Sequence, residues 1–404
     1  MKKLTILLLF LSYTSIYAQI NISGTVVDED NNPLIGASVY INNTSIGTDT
    51  DEDGYFAFTV KEGSYELIVS YLGFDTKKHQ LDTKTYSKPL RFKLKSFYDE
   101  LDEVVIKRKK KKKRRKAKEK AFFRRFKKKF LGESQFAKTC EITNQEVLDF
   151  DYDAYEDVLD VYVTEPLIII NKALGYEIKY DLVHFTLTPK SVSYLGNVKY
   201  KKLEGSNKQE EKWIKNRTKA YLGSKMHFLR SLMKEEVEEQ GFIVDLFERN
   251  PNPKRPTYKQ ITEAQRILTR TSGLQRDPFG RSDVPNSDVS KAKSILERAK
   301  LPEFVDKVKK KRISTKEYSL VYEGEYNLRF PDYLRVTYTK EAQDLNFKSE
   351  MGRSKYQRSI ILLYNKVVEI RKSGVFKKPL DVFLQGYWAF EKVGDILPLD
   401  YEVE

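Results

Sequence analysis

The sequence predicts an N-terminal all-β sandwich, a basic helical linker and a C-terminal α+β domain with an antiparallel sheet. Short runs that alternate apolar and polar residues fill the first part of the chain. A dense cluster of lysine and arginine follows, and beyond it strand-like and helix-like patterns are mixed. With 404 residues, the chain is long enough for two or three domains.

Residues 1–18 have the layout of a secretory signal peptide. Lys2 and Lys3 precede an apolar run over residues 4–11, and Ala18 supplies a small residue at the cleavage point. The apolar run is about half the roughly 20 residues that a membrane-spanning helix needs. We therefore expect the chain to be exported and cleaved after Ala18.

The segment over residues 19–96 predicts a small antiparallel sandwich. Apolar and polar residues alternate most clearly over residues 22–27 and 65–71, the pattern of half-buried strands. Several short strands at this spacing, with no helical period, are typical of a sandwich. Turn signals separate the predicted strands at residues 30–33, 53–54 and 62–63.

Three motifs in this segment resemble the carboxypeptidase regulatory-like domain, a transthyretin/Ig-like sandwich. They are Gly24-Thr25-Val26 with Asp28, Pro33-Leu34-Ile35-Gly36-Ala37, and Thr50-Asp51-Glu52-Asp53-Gly54-Tyr55-Phe56. This family occurs beside certain metallocarboxypeptidases and as an N-terminal extension of outer-membrane TonB-dependent transporters. The resemblance implies an accessory folding or docking unit in a Gram-negative envelope, in the periplasm or associated with the outer membrane.

The sequence offers no catalytic, cofactor-binding or metal-binding constellation. A zinc peptidase needs clustered His and Glu ligands, whereas His79, His184 and His227 are far apart and no H-x-x-E pair is present. Ser224 and His227 lie three residues apart on one predicted helix, which by itself is not the geometry of a nucleophile and its base. Cys140 has apolar neighbours and is expected to be a small buried hydrophobe. We expect a non-enzymatic protein without a cofactor.

Asp49, Asp51 and Asp53 before Gly54 match the first half of a calcium-binding loop. An EF-hand loop also needs a glutamate at its twelfth position. That position is Val60, inside a predicted strand. We therefore interpret the motif as a hairpin turn with solvated carboxylates.

The formal net charge of +15 is concentrated in the linker, residues 97–130. Residues 107–129 hold 17 lysines and arginines and a single acid, which gives +16. Without this segment and the two lysines of the signal peptide, the chain carries −3. Such a run suits nucleic acid electrostatically, but export from the cytoplasm argues against that partner.

Two interpretations of the basic segment stay open: a solvated helix that joins two domains, or adhesion to anionic lipid headgroups or lipopolysaccharide phosphate. Phe122, Phe123, Phe126 and Phe130 recur at helical spacing and predict a face docked against a core. The same pattern also describes an interfacial membrane helix. The candidate contacts with an anionic membrane surface are Lys109, Lys111, Lys113, Arg114, Arg115, Arg124 and Arg125.

The motif Leu101-Asp102-Glu103-Val104-Val105-Ile106 resembles the segment that follows the same domain in TonB-dependent transporters, where it is part of the TonB-contacting region. An extended apolar strip can pair with the sheet edge of a partner by strand addition. Leu101, Val104, Val105 and Ile106 are therefore a candidate partner strand. The basic run departs from the family pattern, because it stands where a plug domain would begin.

Residues 131–404 are predicted to form the α+β domain. Residues 158–170 and 177–187 have strand patterns, residues 208–234 have helical spacing, and a flexible polar insertion lies near 250–300. Five short motifs are Phe130-Leu131-Gly132, Asn171-Lys172-Ala173-Leu174-Gly175-Tyr176, Trp213 with Arg217, Tyr221-x-Gly223-Ser224 with His227-Phe228, and Leu397-Pro398-Leu399-Asp400-Tyr401. On these motifs the region resembles the uncharacterised extension behind the regulatory-like domain in some exported envelope proteins. That resemblance implies no particular activity for this region.

Three functional hypotheses follow. The leading one is a non-enzymatic cell-envelope protein whose sandwich is an accessory or docking module for a partner protein or a surface polymer. The second is an outer-membrane β-barrel or a TonB-linked uptake component, favoured by tyrosine-rich strands and opposed by 32% charged residues. The third is a glycan- or peptide-directed hydrolase, for which the sequence names no paired carboxylates.

Overall fold

The computed structural model describes residues 19–96, 113–273, 285–348 and 354–403. The side chains of residues 113–117 and 271–273 lie outside this description, as do the predicted signal peptide and residues 97–112. The chain folds into two compact units. The first unit contains the described residues up to 227 together with 342–348 and 387–403, and the second contains the rest.

Seven short strands build the predicted N-terminal sandwich, with turns at its Gly- and Asp-rich positions. One sheet has the order β4-β1-β7 and the other has the order β3-β2-β5-β6. The prediction of an antiparallel sandwich is wrong for one pair, because β1 and β7 run parallel. The inward-facing residues of both sheets form one apolar core. The strands are β1 (Ile20–Val27), β2 (Ser38–Ile41), β3 (Gly47–Asp49), β4 (Tyr55–Val60), β5 (Ser64–Ser70), β6 (Lys77–Asp82) and β7 (Leu90–Lys93).

A six-stranded antiparallel sheet forms the second part of the first unit. Its long strand β12 pairs with β13 along one side and with β11 and then β10 along the other. The outer strand β9 pairs with β10, and β8 pairs with β11. The strands are β8 (Cys140–Ile142), β9 (Leu148–Asp153), β10 (Val158–Val163), β11 (Leu167–Asn171), β12 (Tyr176–Leu187) and β13 (Val192–Lys202).

The basic helix α1 (Lys113–Leu131) lies against this sheet through its aromatic face. Phe126 and Phe130 are fully buried, and their rings lie 4.9 Å from those of Phe185 and Tyr180 on β12. Both pairs are edge-to-face, an arrangement that adds to the free energy gained from burying the ring surface. The predicted docking of this face against a core is confirmed.

Two further helices of mixed polarity follow the sheet. They are α2 (Asn207–Tyr221) and α3 (Lys225–Met233). The Ser206 side chain and the Gln209 side chain form a reciprocal capping box at the start of α2. The Ser224 hydroxyl accepts a hydrogen bond from the backbone N–H of His227, which makes Ser224 the N-cap of α3.

The second unit contains a five-stranded sheet of order β15-β14-β18-β19-β22 and a four-stranded sheet of order β16-β17-β20-β21. Two helices, α4 and α5, occupy the polar segment near 250–300. The elements are β14 (Phe242–Pro251), α4 (Tyr258–Gly273), α5 (Asn286–Arg298), β15 (Phe304–Lys310), α6 (Thr315–Tyr318), β16 (Ser319–Tyr322), β17 (Glu325–Leu328), β18 (Tyr333–Ala342), β19 (Tyr356–Leu363), β20 (Val368–Arg371), β21 (Val375–Phe376) and β22 (Val382–Gly386).

The chain then returns to the first unit through the short helix α7 (Tyr387–Phe390). This architecture confirms the predicted fold class of a β-sandwich, a basic helix and a sheet-rich α+β region with antiparallel sheets. Across the four described ranges, no helix is both long enough and apolar enough to cross a membrane.

The position of Phe126 generates a stability prediction. We expect Phe126→Ala to lower the free energy of unfolding of the first unit by about 3–5 kcal/mol, because it leaves a cavity between α1 and the sheet. Urea unfolding followed by circular dichroism measures the loss. The control is Arg124→Ala on the exposed face of the same helix, for which we expect a change within about 0.5 kcal/mol. Equal losses for the two variants would contradict the docking of α1.

Candidate functional site

The exposed side of α1 is the first candidate surface. Because its phenylalanines face the sheet, the lysines and arginines between them point outward. Arg124 is exposed, and Arg125 is half-buried with its guanidinium 3.0 Å from the carboxylate of Asp157. The exposed basic residues in the described part of α1 are Lys118, Lys120, Arg124, Lys128 and Lys129.

The structure describes only some of the residues that were predicted to contact an anionic surface. Lys113, Arg114 and Arg115 lie on the first turn of α1, and their side chains are outside the described part of the chain. Lys109 and Lys111 lie outside the described residues altogether. The same is true of the candidate partner strand Leu101, Val104, Val105 and Ile106. These assignments stay predictions.

The second candidate surface is the junction between the sandwich and the six-stranded sheet, both within the first unit. The loop after β2 forms an isolated parallel β-bridge with β13, between Thr44 and Lys199. The Asn43 N–H donates to the Val198 carbonyl at 2.7 Å, and the Tyr200 N–H donates to the Thr44 carbonyl at 2.9 Å. From the C-terminal segment, the Leu399 N–H donates to the Asn43 carbonyl at 2.7 Å. The sandwich is thus attached by main-chain strand pairing.

Buried and half-buried polar side chains reinforce this junction. Asn42 is 9% exposed, and its Oδ1 accepts the Val198 N–H at 2.9 Å. The Asp400 carboxylate accepts the Ser45 N–H at 2.9 Å and also the Ser45 hydroxyl. Each of these bonds joins residues more than 150 positions apart, so local patterns in the chain carry no sign of them.

A lysine on β13 adds a charged contact to the junction. The Lys199 ammonium lies 2.9 Å from the Asp49 carboxylate and 5.8 Å from the centre of the Tyr40 ring. The Asp49 carboxylate also accepts the Ser38 hydroxyl at 2.6 Å. The ion pair joins β13 to the edge of the sandwich, and because the Asp49 side chain is mostly exposed it contributes at most about 1 kcal/mol.

The aspartates of the predicted turn have structural partners. The Asp51 carboxylate accepts the N–H groups of Asp53 and Tyr55 at 3.0 and 2.8 Å, and Gly54 has a φ of +70°. This is an Asx turn with glycine in the left-handed region. The motif is a turn, as interpreted, but it is not a hairpin, because β3 and β4 on either side of it pair with other strands and belong to different sheets.

The residues weighed for catalysis are engaged in packing. His227 is 3% exposed, and its Nδ1 accepts the Gly223 N–H at 3.1 Å while its ring lies 4.9 Å from that of Tyr221. Burial raises the pKa of the Cys140 thiol to about 12, so it is not a thiolate at neutral pH. In the described part of the chain, no three His, Cys, Asp or Glu side chains are grouped to hold a metal ion.

A buried carboxylate attaches the C-terminal segment to the end of α1. Asp395 accepts the Ser134 hydroxyl and the Lys392 N–H, and its burial raises its pKa to about 7. Burial, with the charges of Lys129 and Lys225, lowers the pKa of Lys392 to about 8. Burial thus favours the neutral form of both groups, and sequence reasoning missed them because neither lies in a recognisable motif.

A glycine allows this close attachment. A Cβ at Gly394 would lie 2.6 Å from the Ala137 Cα, and the Gly394 N–H donates to the Leu131 carbonyl at 2.9 Å. A larger residue would push the C-terminal segment off the end of α1. The C-terminal segment thus contacts both α1 and the sandwich loop.

Comparison with known proteins assigns the sandwich. The sequence over residues 22–106 matches the CarboxypepD_reg-like domain family. The chain contains a CarboxypepD_reg-like domain. The match confirms the resemblance based on the glycine and aspartate motifs, and it extends through the 101–106 segment.

Curated relatives share this domain alone. TonB-dependent receptor P39 of Formosa agariphila is 35% identical over 103 residues, which are 25% of this chain and 10% of that protein. TonB-dependent receptor SusC of Bacteroides thetaiotaomicron is 34% identical over 98 residues, 24% of this chain and 9% of that protein. This chain thus spans about a tenth of the length of the curated relatives it matches.

A solved structure, a DUF3823 family protein from Bacteroides ovatus, aligns with 46% of this chain and 83% of its own. The sequence identity is 7% and the TM-score is 0.17. A similarity this low supports no argument about fold or function.

The junction generates the second prediction. We expect Asp400→Ala to speed hydrogen exchange of the amides at 43–45 and to cost about 1–3 kcal/mol of stability, because it leaves two donors of Ser45 unsatisfied. Exchange mass spectrometry measures the first effect and urea unfolding the second. The control is Glu402→Ala, whose ion pair with Lys61 is exposed on both sides and contributes at most about 1 kcal/mol. An unchanged exchange rate in Asp400→Ala would contradict the junction.

Proposed function

We propose that the chain is a non-enzymatic component of the cell envelope whose CarboxypepD_reg-like domain is an accessory docking module for a partner protein or surface polymer. In this proposal the protein is exported, and it lies in the periplasm or at the outer membrane. The basic face of α1 holds it near an anionic membrane surface. The observation that carries the proposal is the arrangement of α1, which buries its phenylalanines in the first unit and presents its lysines and arginines outward.

The comparisons support the modular part of the proposal. Relatives named TonB-dependent receptors share this one domain, and the match covers no more than about a tenth of their length. The fold of this domain does not by itself imply an activity, so the proposal depends on what the domain contacts in this chain. In this chain the loop after β2 is engaged by β13 and the C-terminal segment, so a partner of the domain would bind elsewhere on the sandwich.

A TonB-linked role is a second candidate function. It is favoured by the family match through residues 101–106 and by the names of the relatives. Such a role would depend on the apolar residues of that segment rather than on the charge of α1. A charge-reversal experiment on α1 therefore separates the two candidates.

The experiment is cell fractionation of the full chain with three charges of α1 reversed, Lys118→Glu, Lys120→Glu and Arg124→Glu. These side chains are exposed, so the helix keeps its buried face. Attraction to an anionic surface is worth about 1 kcal/mol per basic residue, so we expect at least about a hundredfold weaker membrane association and transfer of the protein to the soluble fraction.

The matched control reverses three exposed lysines of α2, Lys208→Glu, Lys212→Glu and Lys215→Glu. It changes the net charge by the same amount on another surface helix. We expect the control to stay with the membrane fraction. If the α1 variant also stays there, the membrane part of the proposal is wrong; if both variants leave it, net charge and not α1 is responsible.

A further inference from the structure

We propose that a cavity beside the end of α1 is a binding site for a phosphate group. The cavity has a volume of about 240 Å³ and lies between α1 and the turn from β12 to β13. It deepens the proposed function, because it gives the anionic surface a specific point of contact. Its lining consists of Arg125, Lys128, Lys129, Asp157, Leu187, Thr188 and Pro189.

The spacing of the cations along the helix brings them to one place. Arg125, Lys128 and Lys129 stand at positions i, i+3 and i+4, so they share one face of α1. A guanidinium binds phosphate oxygens in a planar fork and ammonium groups bind them as point charges. The three together form a mixed cationic wall that suits a tetrahedral anion better than an apolar ligand.

Two of the three cations in this wall form ion pairs with nearby carboxylates, and among the described residues the third does not. Lys128 pairs with Glu133 at 2.8 Å, and Arg125 pairs with Asp157 at 3.0 Å. Among the residues that the structure describes, no carboxylate lies within ion-pair distance of Lys129. The positive charge of Lys129 is therefore available to attract an anionic ligand.

The opposite wall contains Thr188, whose hydroxyl is engaged within its own turn and donates to the Ser191 carbonyl at 3.3 Å. Thr188 opens the turn, where its Oγ1 accepts the N–H groups of Lys190 and Ser191 at 3.2 and 3.0 Å. These bonds hold the Thr188 side chain at the cavity. The volume of about 240 Å³ is far larger than a single water needs, so a phosphate group fits.

Asp157 limits the affinity of the site. The Tyr152 hydroxyl and the Arg125 guanidinium lower the pKa of Asp157, so it is ionised at neutral pH. Its negative charge repels an incoming phosphate and occupies Arg125. Asn in place of Asp157 would keep an acceptor for Tyr152, tolerate the φ of +53° at this position, and free Arg125.

The test is titration of the full chain with glycerol 3-phosphate at low ionic strength, followed by NMR or calorimetry. We expect Lys129→Gln to weaken binding about fivefold, since one basic residue near an anion is worth about 1 kcal/mol. We expect Asp157→Asn to tighten binding by a similar factor, which a merely structural role of Asp157 would not do. The comparison variant Arg124→Gln removes the same charge from α1 outside the cavity, and we expect it to weaken glycerol 3-phosphate binding less than Lys129→Gln does.

A parallel titration with phosphatidylglycerol vesicles separates this proposal from the membrane proposal. Loss of vesicle binding in Lys129→Gln beyond that in Arg124→Gln assigns the phosphate to a lipid headgroup. Binding of glycerol 3-phosphate without binding of vesicles supports the cavity with a soluble phosphate source and contradicts the membrane proposal. Equal effects of Lys129→Gln and Arg124→Gln on both ligands, or no tightening in Asp157→Asn, would overturn the cavity and leave a non-specific basic surface.

Discussion

The burial of the aromatic face of α1 is the constraint on which the rest of the first unit depends. Phe126 and Phe130 are fully buried against β12, and each buried phenylalanine side chain contributes about 1.5–3 kcal/mol. Because the helix is fixed by this face, most basic residues of its described part are exposed, and Arg125 and Lys127 are half-buried. A segment with a charge of +16 over residues 107–129 is thus converted, in its described part, into a helix with one apolar and one cationic side.

The same helix end organises the C-terminal segment. Gly394 and Asp395 attach the chain to the end of α1 through a main-chain bond to Leu131 and a side-chain bond to Ser134. A few residues further on, Asp400 holds Ser45 of the sandwich. The C-terminal segment therefore connects the basic helix to the CarboxypepD_reg-like domain. A displacement of α1 would strain the hydrogen bonds between this segment and the sandwich.

Local patterns were enough to predict the sandwich and the docking of α1. Alternation at residues 22–27 became β1, and the spacing of Phe122, Phe126 and Phe130 placed them on one buried or half-buried face. Each prediction used residues within a few positions of one another, where periodicity directly reports which side chains share a face.

The junction and the cavity could not be predicted in this way. Asn42 meets Val198, Ser45 meets Asp400 and Arg125 meets Asp157 only because the fold brings distant segments together. The return of the chain to the first unit at residue 387 has no local signal either. The same residue types in another fold would have other partners. The sequence alone therefore could not predict the junction or the cavity.

The most direct measurement is hydrogen exchange of the α1 amides in the full chain, in buffer without lipid or added anion. If the aromatic face is docked in the core, the amides of residues 122–131 exchange slowly, as those of β12 do. Exchange at the rate of an unfolded chain, with protection only after anionic vesicles are added, would mean that the helix forms on the membrane. That result would contradict the central claim that burial within the first unit fixes α1 and directs its charge outward.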